Sequence, residues 1–385
     1  MNLLPVSSDI SAKPCHAYVG SYAPHGQGIY RFAMNGVGAE ADLQSLGTPD
    51  LAPNPSFLLF NADHSRLYVA NEHEDFQGRL SGSVSVYRRD ATSGALSLAG
   101  CVASGGARPV HLSLDAQERY LFVANYGCGS LAVLALDAAG GLGQQLDQQS
   151  PAQFKTLQPY TALAQHAPPG SFAHSDHDGP HAHQANLDPT GQFLLSTDLG
   201  LDQIISWQFD ARSGRLSAPR CHPSSAGAGP RQLCFHPRDA SLCYVLNEES
   251  SSLSWWRFDA QAGGVLRALG EVSTLPTGFA GTSFASELQF TPDGGQLLCL
   301  NRLHDAIAIF EIDAAGSPQL LGHEWTRGSY PRSGSFDPSG RYFFVCNQRS
   351  DHLAVFRLAE RGAGLQFTGR YVPVPSPAHL VFASM

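Results

Sequence analysis

YLFVANYGCGSLAVLAL, residues 120–136, reads as an apolar strand that ends on Asn125, a glycine-rich turn, and a second strand of alternating character. The phrase returns along the chain as RLYVANEHED (66–75), FLLSTDLGLD (193–202), LCYVLNEESS (242–251), QLLCLNRLHD (296–305), YFFVCNQRSD (342–351) and, more weakly, HAYVGSYAPH (16–25). The residues that end the apolar runs are Ser21, Asn71, Asn125, Asp198, Asn247, Asn301 and Asn347, at steps of 50, 54, 73, 49, 54 and 46 residues. Asn and Asp recur there as turn-makers, because their side chains bond local backbone. The long step contains an irregular Gln-, Pro- and His-rich stretch, about 145–178, which reads as an inserted loop.

Most repeats hold two further strands. One precedes the apolar run, as in NPSFLLF, RPVHLSL, HAHQANL, GPRQLCF, FASELQF and YPRSGSF, and an outer one follows, as in GALSLAG and GGVLRALG. The first repeat lacks the opening strand, and a lone copy, SPAHLVF (376–382), stands near the C-terminus. Four strands per unit at a period near 50 residues is the signature of a propeller blade. The fold predicted is all-β: one seven-bladed β-propeller domain over residues 1–385, closed by N- and C-terminal strands that share one blade.

Composition agrees with many short strands and turns: 43% hydrophobic and 15% charged residues, with 39 Gly, 25 Pro and 3 Met in 385 residues. A formal charge of −9 argues against a nucleic-acid or anionic-membrane partner. The opening MNLLPVSSDISAKP has neither a basic start nor a long apolar core, so a cytoplasmic location is expected. The eight cysteines are scattered, several within apolar runs, and read as reduced thiols.

Aligning the opening strands gives two columns. The first is Ser56, Val110, His183, Arg231, Ser286, Arg332 and Ala378; the second is Phe57, His111, Gln184, Gln232, Glu287, Ser333 and His379. The residues after the turn-makers form a third set: Tyr22, Glu72, Tyr126, Leu199, Glu248, Arg302 and Gln348. In a propeller these segments line a central mouth, and His, Arg and Glu are out of keeping with a packed core. Arg231, Arg302 and Arg332 together call for an anionic guest. For His111 and His379 a blade-packing role competes with a functional one.

As a set, the motifs VGSY, NPSFL, LYVANE, RPVHLSLD, VANYGCGS, PHAHQANLDPTGQFLLSTDLG, GAGPRQLCFHP, YVLNE, NRLHDAIAIF, YPRSGSFDPSGRYFFVCNQRSD and PAHLVF resemble the seven-bladed propeller lactonases. That family contains the bacterial propeller-type 6-phosphogluconolactonase and the fungal carboxy-muconate lactonising enzyme. The resemblance implies a metal-free site of one His, two Arg and one Glu, which fall here on His183, Arg231, Arg302 and Glu248. It departs at Gln232, where the family reads GPRH, at Leu303, where it reads NRG, and at Asp176-His177, where an Arg-Gln pair is common. Losing that cation and adding a carboxylate weakens phosphate binding.

Lactone hydrolysis needs an activated water and a stabilised oxyanion. The expected roles are His183 as general base, Glu248 or Glu287 orienting it or serving in its place, and Arg231 and Arg302 binding the anionic group and the oxyanion. Arg332, Glu287, His111, Gln232, Glu72 and His181 are expected to bind substrate. The alternatives are carboxy-cis,cis-muconate cyclisation by the same groups and a non-catalytic binding scaffold. A zinc site from His174, His177, His181 and His183 would draw on one loop, whereas metal sites use rigid, separated elements. Calcium wants several converging carboxylates, and the inner columns offer only Glu287. The expectation is therefore no cofactor, a small anionic lactone or carboxylate as partner, and a monomer or weak homodimer.

Overall fold

The computed structural model describes residues 14–34, 42–150, 177, 179–359 and 364–385. Seven antiparallel sheets, each with a path of four strands, follow one another along the chain. Blade 3 shows the pattern: Pro109–Leu114, Tyr120–Asn125, Ser130–Leu136 and Leu142–Gln149, paired in that order. The opening strands of blades 2 and 4 to 7 are Pro55–Phe60, Ala182–Leu187, Pro230–His236, Phe284–Phe290 and Pro331–Phe336. Blade 1 takes Pro377–Ser384 as its inner strand, against Cys15–Ser21. The expected seven-bladed propeller, closed by its two ends, is therefore the observed architecture. No helix among the described residues is long and apolar enough to cross a membrane.

One expectation is corrected. The irregular stretch does not begin near 145, because Leu142–Gln149 is the outer strand of blade 3. Its Gln-rich sequence hides a strand that needs few apolar residues: Leu146 packs on the core and most of the rest face solvent. The remainder of the stretch, His177 apart, lies outside the described residues.

The second strands of blades 3 and 4, Tyr120–Asn125 and Phe193–Asp198, are buried along their whole length, because both of their faces meet neighbouring sheets. A repeated turn feeds such strands. In LDAQERY, LDPTGQF and FDPSGRY, the Oδ1 of Asp115, Asp188 and Asp337 accepts the N–H groups of the residues four and five positions on, at 2.6–3.0 Å.

Packing divides the chain into two compact units. One comprises Met1–Tyr68, Tyr87–Leu98 and Ser286–Met385, and the other Val69–Val86 and Ala99–Ala285. The core of the first includes Val19, Phe32, Phe344, Val355 and Leu380. In the second, Phe122, Leu194, Ile205 and Trp207 pack together, as do Leu195, Leu233, Val245 and Trp256.

Closure in the first unit carries a buried cation. The guanidinium of Arg89 donates to Tyr18 Oη (3.1 Å), to the carbonyl of His64 (3.1 Å) and to the carbonyl of Ser384 in the last strand. Removing it leaves the buried Tyr18 Oη and two part-buried carbonyls without this donor, at about 1–3 kcal/mol for a buried group. Arg89→Met should lower the unfolding free energy by about 2–3 kcal/mol in denaturant titrations, and an unchanged midpoint would show that the last strand holds without it.

Candidate active site

Each blade's opening strand carries the site columns, and in blades 1, 3, 4, 5 and 7 its register slips at the same position. In blade 3, Pro109 faces Asn125 and His111 faces Ala124, so Val110 is an extra residue. The same slip makes His183 the extra residue in blade 4 and Arg231 in blade 5. In the first unit, Arg332 and Ala378 hold this position in blades 7 and 1. An inserted residue of this kind is a β-bulge, which bends the strand and re-aims its side chain. Five members of the first column, His183, Arg231 and Arg332 among them, are thus bulge residues.

Second-column side chains instead join one blade to the next. Gln184 Oε1 accepts the N–H of Leu233. His111 Nδ1 accepts that of Ala185 at 3.5 Å, and His379 Nδ1 that of Leu58 at 3.3 Å. His379 also stacks on Phe57, 4.2 Å between ring centres. Burial, with help from the Arg332 charge, lowers its pKa to about 3, as an accepting Nδ1 requires. His111, expected at the substrate, is buried and gives its Nδ1 to blade packing.

The second unit brings His181, His183, Arg231, Glu248 and Glu72 into defined surroundings. Arg231 Nη1 lies 2.6 Å from Glu248 Oε2, with the two side chains 7% and 12% exposed. Thr197 Oγ1 donates to the Arg231 carbonyl at 2.7 Å, which holds the bulge. His181 Nδ1 lies 2.8 Å from the carbonyl of Tyr126; a carbonyl only accepts, so Nδ1 carries the proton. The Tyr126 ring stacks on His181 at 4.7 Å and meets His183 edge-on at 5.7 Å. Val110, Tyr126 and Leu199 form an apolar cluster beside them. Glu72 lies 3.4 Å from Arg108, whose guanidinium sits over Tyr126 at 5.5 Å.

In the first unit, Arg302 is buried and lies over the Tyr330 ring, with Nη1 3.4 Å from Tyr330 Oη. Arg349 covers the same ring at 3.8 Å. Arg332 lies over Tyr22 at 4.8 Å. Glu287 is half-buried, and its charge adds to the burial that raises the Cys346 thiol to about 12. Gln232, in the second unit, is buried and faces Leu246 in the register.

The sequence reading missed Arg108, Tyr330 and Arg349, which lie outside its columns and reach the site residues through ring contacts. It also missed the partners of His177. That imidazole is buried between Asp202 and Glu249, so it is a charge-paired group in the fold. Among the described residues no group of three or more His, Cys, Asp and Glu side chains is arranged to hold a metal ion, and His174 lies outside them.

The seven-bladed propeller and its relatives over nearly the whole chain make this protein a lactone hydrolase. The chain belongs to the family described as lactonase, seven-bladed β-propeller, which matches residues 16–382. It is 29% identical over 370 residues to the 6-phosphogluconolactonase of Bacillus subtilis, spanning 95% of this chain and 97% of that protein. It is 30% identical over 364 residues to the Erwinia tasmaniensis 6-phosphogluconolactonase, spanning 93% and 96%. Among solved structures, the periplasmic gluconolactonase of Pseudomonas aeruginosa superposes with a TM-score of 0.84 at 30% identity, over 96% of this chain and 99% of that one.

Asp198 underlies the histidine segment: its Oδ1 accepts the N–H groups of His181 (2.9 Å) and Leu201 (3.1 Å). Burial raises its pKa to about 6 against those two bonds. The native state thus holds this proton more tightly than the unfolded chain does, and stability from this group is lost as pH rises through about 6. At pH 7.5 Asp198→Asn, which keeps the acceptor without the charge, should melt no lower than the wild type, while Asp198→Ala should melt several degrees lower. Equal losses in thermal scans would refute the acceptor role.

Proposed function

We propose that this lactonase hydrolyses a phosphorylated sugar lactone, 6-phosphogluconolactone, with His183 as general base. The observation that carries the reading is the placement of His183 and Arg231 at the same bulge of neighbouring blades, with Arg231 2.6 Å from Glu248. The names of the relatives supply the substrate class.

In the proposed reaction His183 takes a proton from water, and the hydroxyl oxygen attacks the lactone carbonyl carbon. Negative charge develops on the carbonyl oxygen, where the Arg231 guanidinium stabilises it. Glu248 holds that guanidinium by a short charge-assisted bond and keeps it from turning away. The tetrahedral intermediate collapses with cleavage of the ring C–O bond, and the imidazolium returns its proton to the departing alkoxide. The product is the open-chain acid. His181, its proton fixed on Nδ1 by the Tyr126 carbonyl, supports His183 through their common contact with the Tyr126 ring. For Arg302, the proposed role is to bind an anionic group of the substrate, which fits a guanidinium held on Tyr330. Arg332, Glu287, Glu72 and Gln232 are proposed as substrate contacts of lesser weight. A reducing compartment, the cytoplasm, suits the eight unbridged cysteines.

The test is hydrolysis of freshly generated 6-phosphogluconolactone above the spontaneous rate, with and without EDTA. Acceleration that survives EDTA is expected, and its absence overturns the substrate assignment. His183→Ala should lower kcat by about 10²–10⁴-fold, the range for a general base. Near-normal turnover would remove His183 from that role. Arg231→Ala and Arg302→Ala should each lower kcat/KM by at least about tenfold, as expected for lost charge-assisted contacts.

A further inference from the structure

His177 is a charged group that the proposed chemistry does not use. Its side chain is 2% exposed, with Nε2 3.3 Å from Asp202 Oδ1 and Nδ1 2.8 Å from Glu249 Oε2. Those carboxylates are 6% and 3% exposed and sit against opposite edges of one imidazole ring. A neutral ring carries one N–H and cannot donate to both, whereas an imidazolium can.

Both carboxylates lead to the site. Asp202 accepts the N–H groups of Gly227 and Gly229, each at 2.8 Å, and this loop runs directly into Pro230 and Arg231. Asp202 belongs to the turn that starts at Asp198, whose carboxylate holds the N–H of His181. One turn thus fixes the entry to the strand of His183 and the entry to the strand of Arg231. Glu249 follows Glu248, the partner of Arg231. Their N–H groups donate to the carbonyls of Ala228 (3.1 Å) and Gly229 (2.7 Å) in the same loop. Burial disfavours the charged form of His177, but the hydrogen bonds and charges of Asp202 and Glu249 outweigh it and hold the pKa at about 9. Burial, joined by the neighbouring charges of Glu248 and Asp202, raises Glu249 to about 7 against the pull of His177.

We propose that His177 is a positioning residue for the lactonase reaction: as an imidazolium bridging Asp202 and Glu249, it fixes the strand entries that aim His183 and Arg231. This rests on the reading given under Proposed function. Truncation would leave two buried carboxylates without their cation, which costs more than the lost bonds alone. A small displacement of a catalytic group is enough to slow the chemical step substantially.

Three measurements test it. In the wild type, the histidine NMR signal identified by its loss in His177→Gln should stay protonated up to pH 8; a neutral ring at pH 7 overturns the proposal. On 6-phosphogluconolactone at pH 7, His177→Gln should lower kcat at least about tenfold while KM changes less than about threefold, a loss of positioning rather than of binding. Adding Glu249→Gln, which removes one of the stranded carboxylates, should recover at least threefold of that loss. Wild-type kcat in His177→Gln, or a loss that the second substitution does not relieve, overturns the assignment. If the wild type itself leaves the lactone untouched, the substrate reading fails instead. His177 is then judged by its protonation and by the Arg231 Nε–H resonance, which should shift in His177→Gln; an unmoved resonance overturns it.

The melting temperature gives a pH-resolved check. A raised histidine pKa contributes stability that is complete below about 6.5 and lost as pH rises through about 9. The wild type should therefore lose melting temperature across that window relative to His177→Gln, and parallel curves would contradict the bridge.

Discussion

Pairing of Cys15–Ser21 with Pro377–Ser384 is the constraint on which the propeller depends. A sheet edge left open presents a row of unsatisfied N–H and C=O groups, and the first blade lacks an inner strand of its own until the far end of the chain supplies one. Closure therefore waits on residues at opposite ends of the sequence, and the fold locks it with more than ladder bonds. Arg89 reaches the Ser384 carbonyl from a third segment, and His379 in the closing strand accepts the N–H of Leu58 in the next blade. These contacts make the last strand an integral part of its unit.

Blade joining and the outward presentation of a side chain make opposite demands on the opening strand, and a bulge separates them. A regular strand alternates its faces, so neighbouring residues cannot serve both purposes from one register. The extra residue at Val110, His183, Arg231, Arg332 and Ala378 breaks that alternation at the same position in each strand. The residue after it returns to the ladder, where Gln184, His111 and His379 hold the next blade. The repeat thus carries both a structural position and a variable one, and the roles proposed for His183 and Arg231 fall in the variable one.

Charge within the second unit is handled by pairing. Arg231 is set against Glu248, Arg108 against Glu72, and His177 between Asp202 and Glu249. Burial makes an uncompensated charge costly, so each pair fixes a geometry as well as an energy. In the first unit, Arg302, Arg349 and Arg332 lie on tyrosine rings, which attract a cation to the ring face.

The sequence by itself determined the number of blades, the strand order and the shared closing blade. Each of these is written locally, in an apolar run, a turn-making Asn or Asp, and an alternating strand. It also carried His183, Arg231, Glu248 and Arg302 through a recognisable set of motifs. Only the tertiary structure decided which of two adjacent columns is re-aimed, because a one-residue bulge leaves no mark in the alternation and appears only when the strand is set against its partner. The same holds for the surroundings of His177 and for the Tyr330 ring between two arginines. A buried charge is defined by what surrounds it in three dimensions, and its partners come from separate blades whose meeting no spacing in the chain announces.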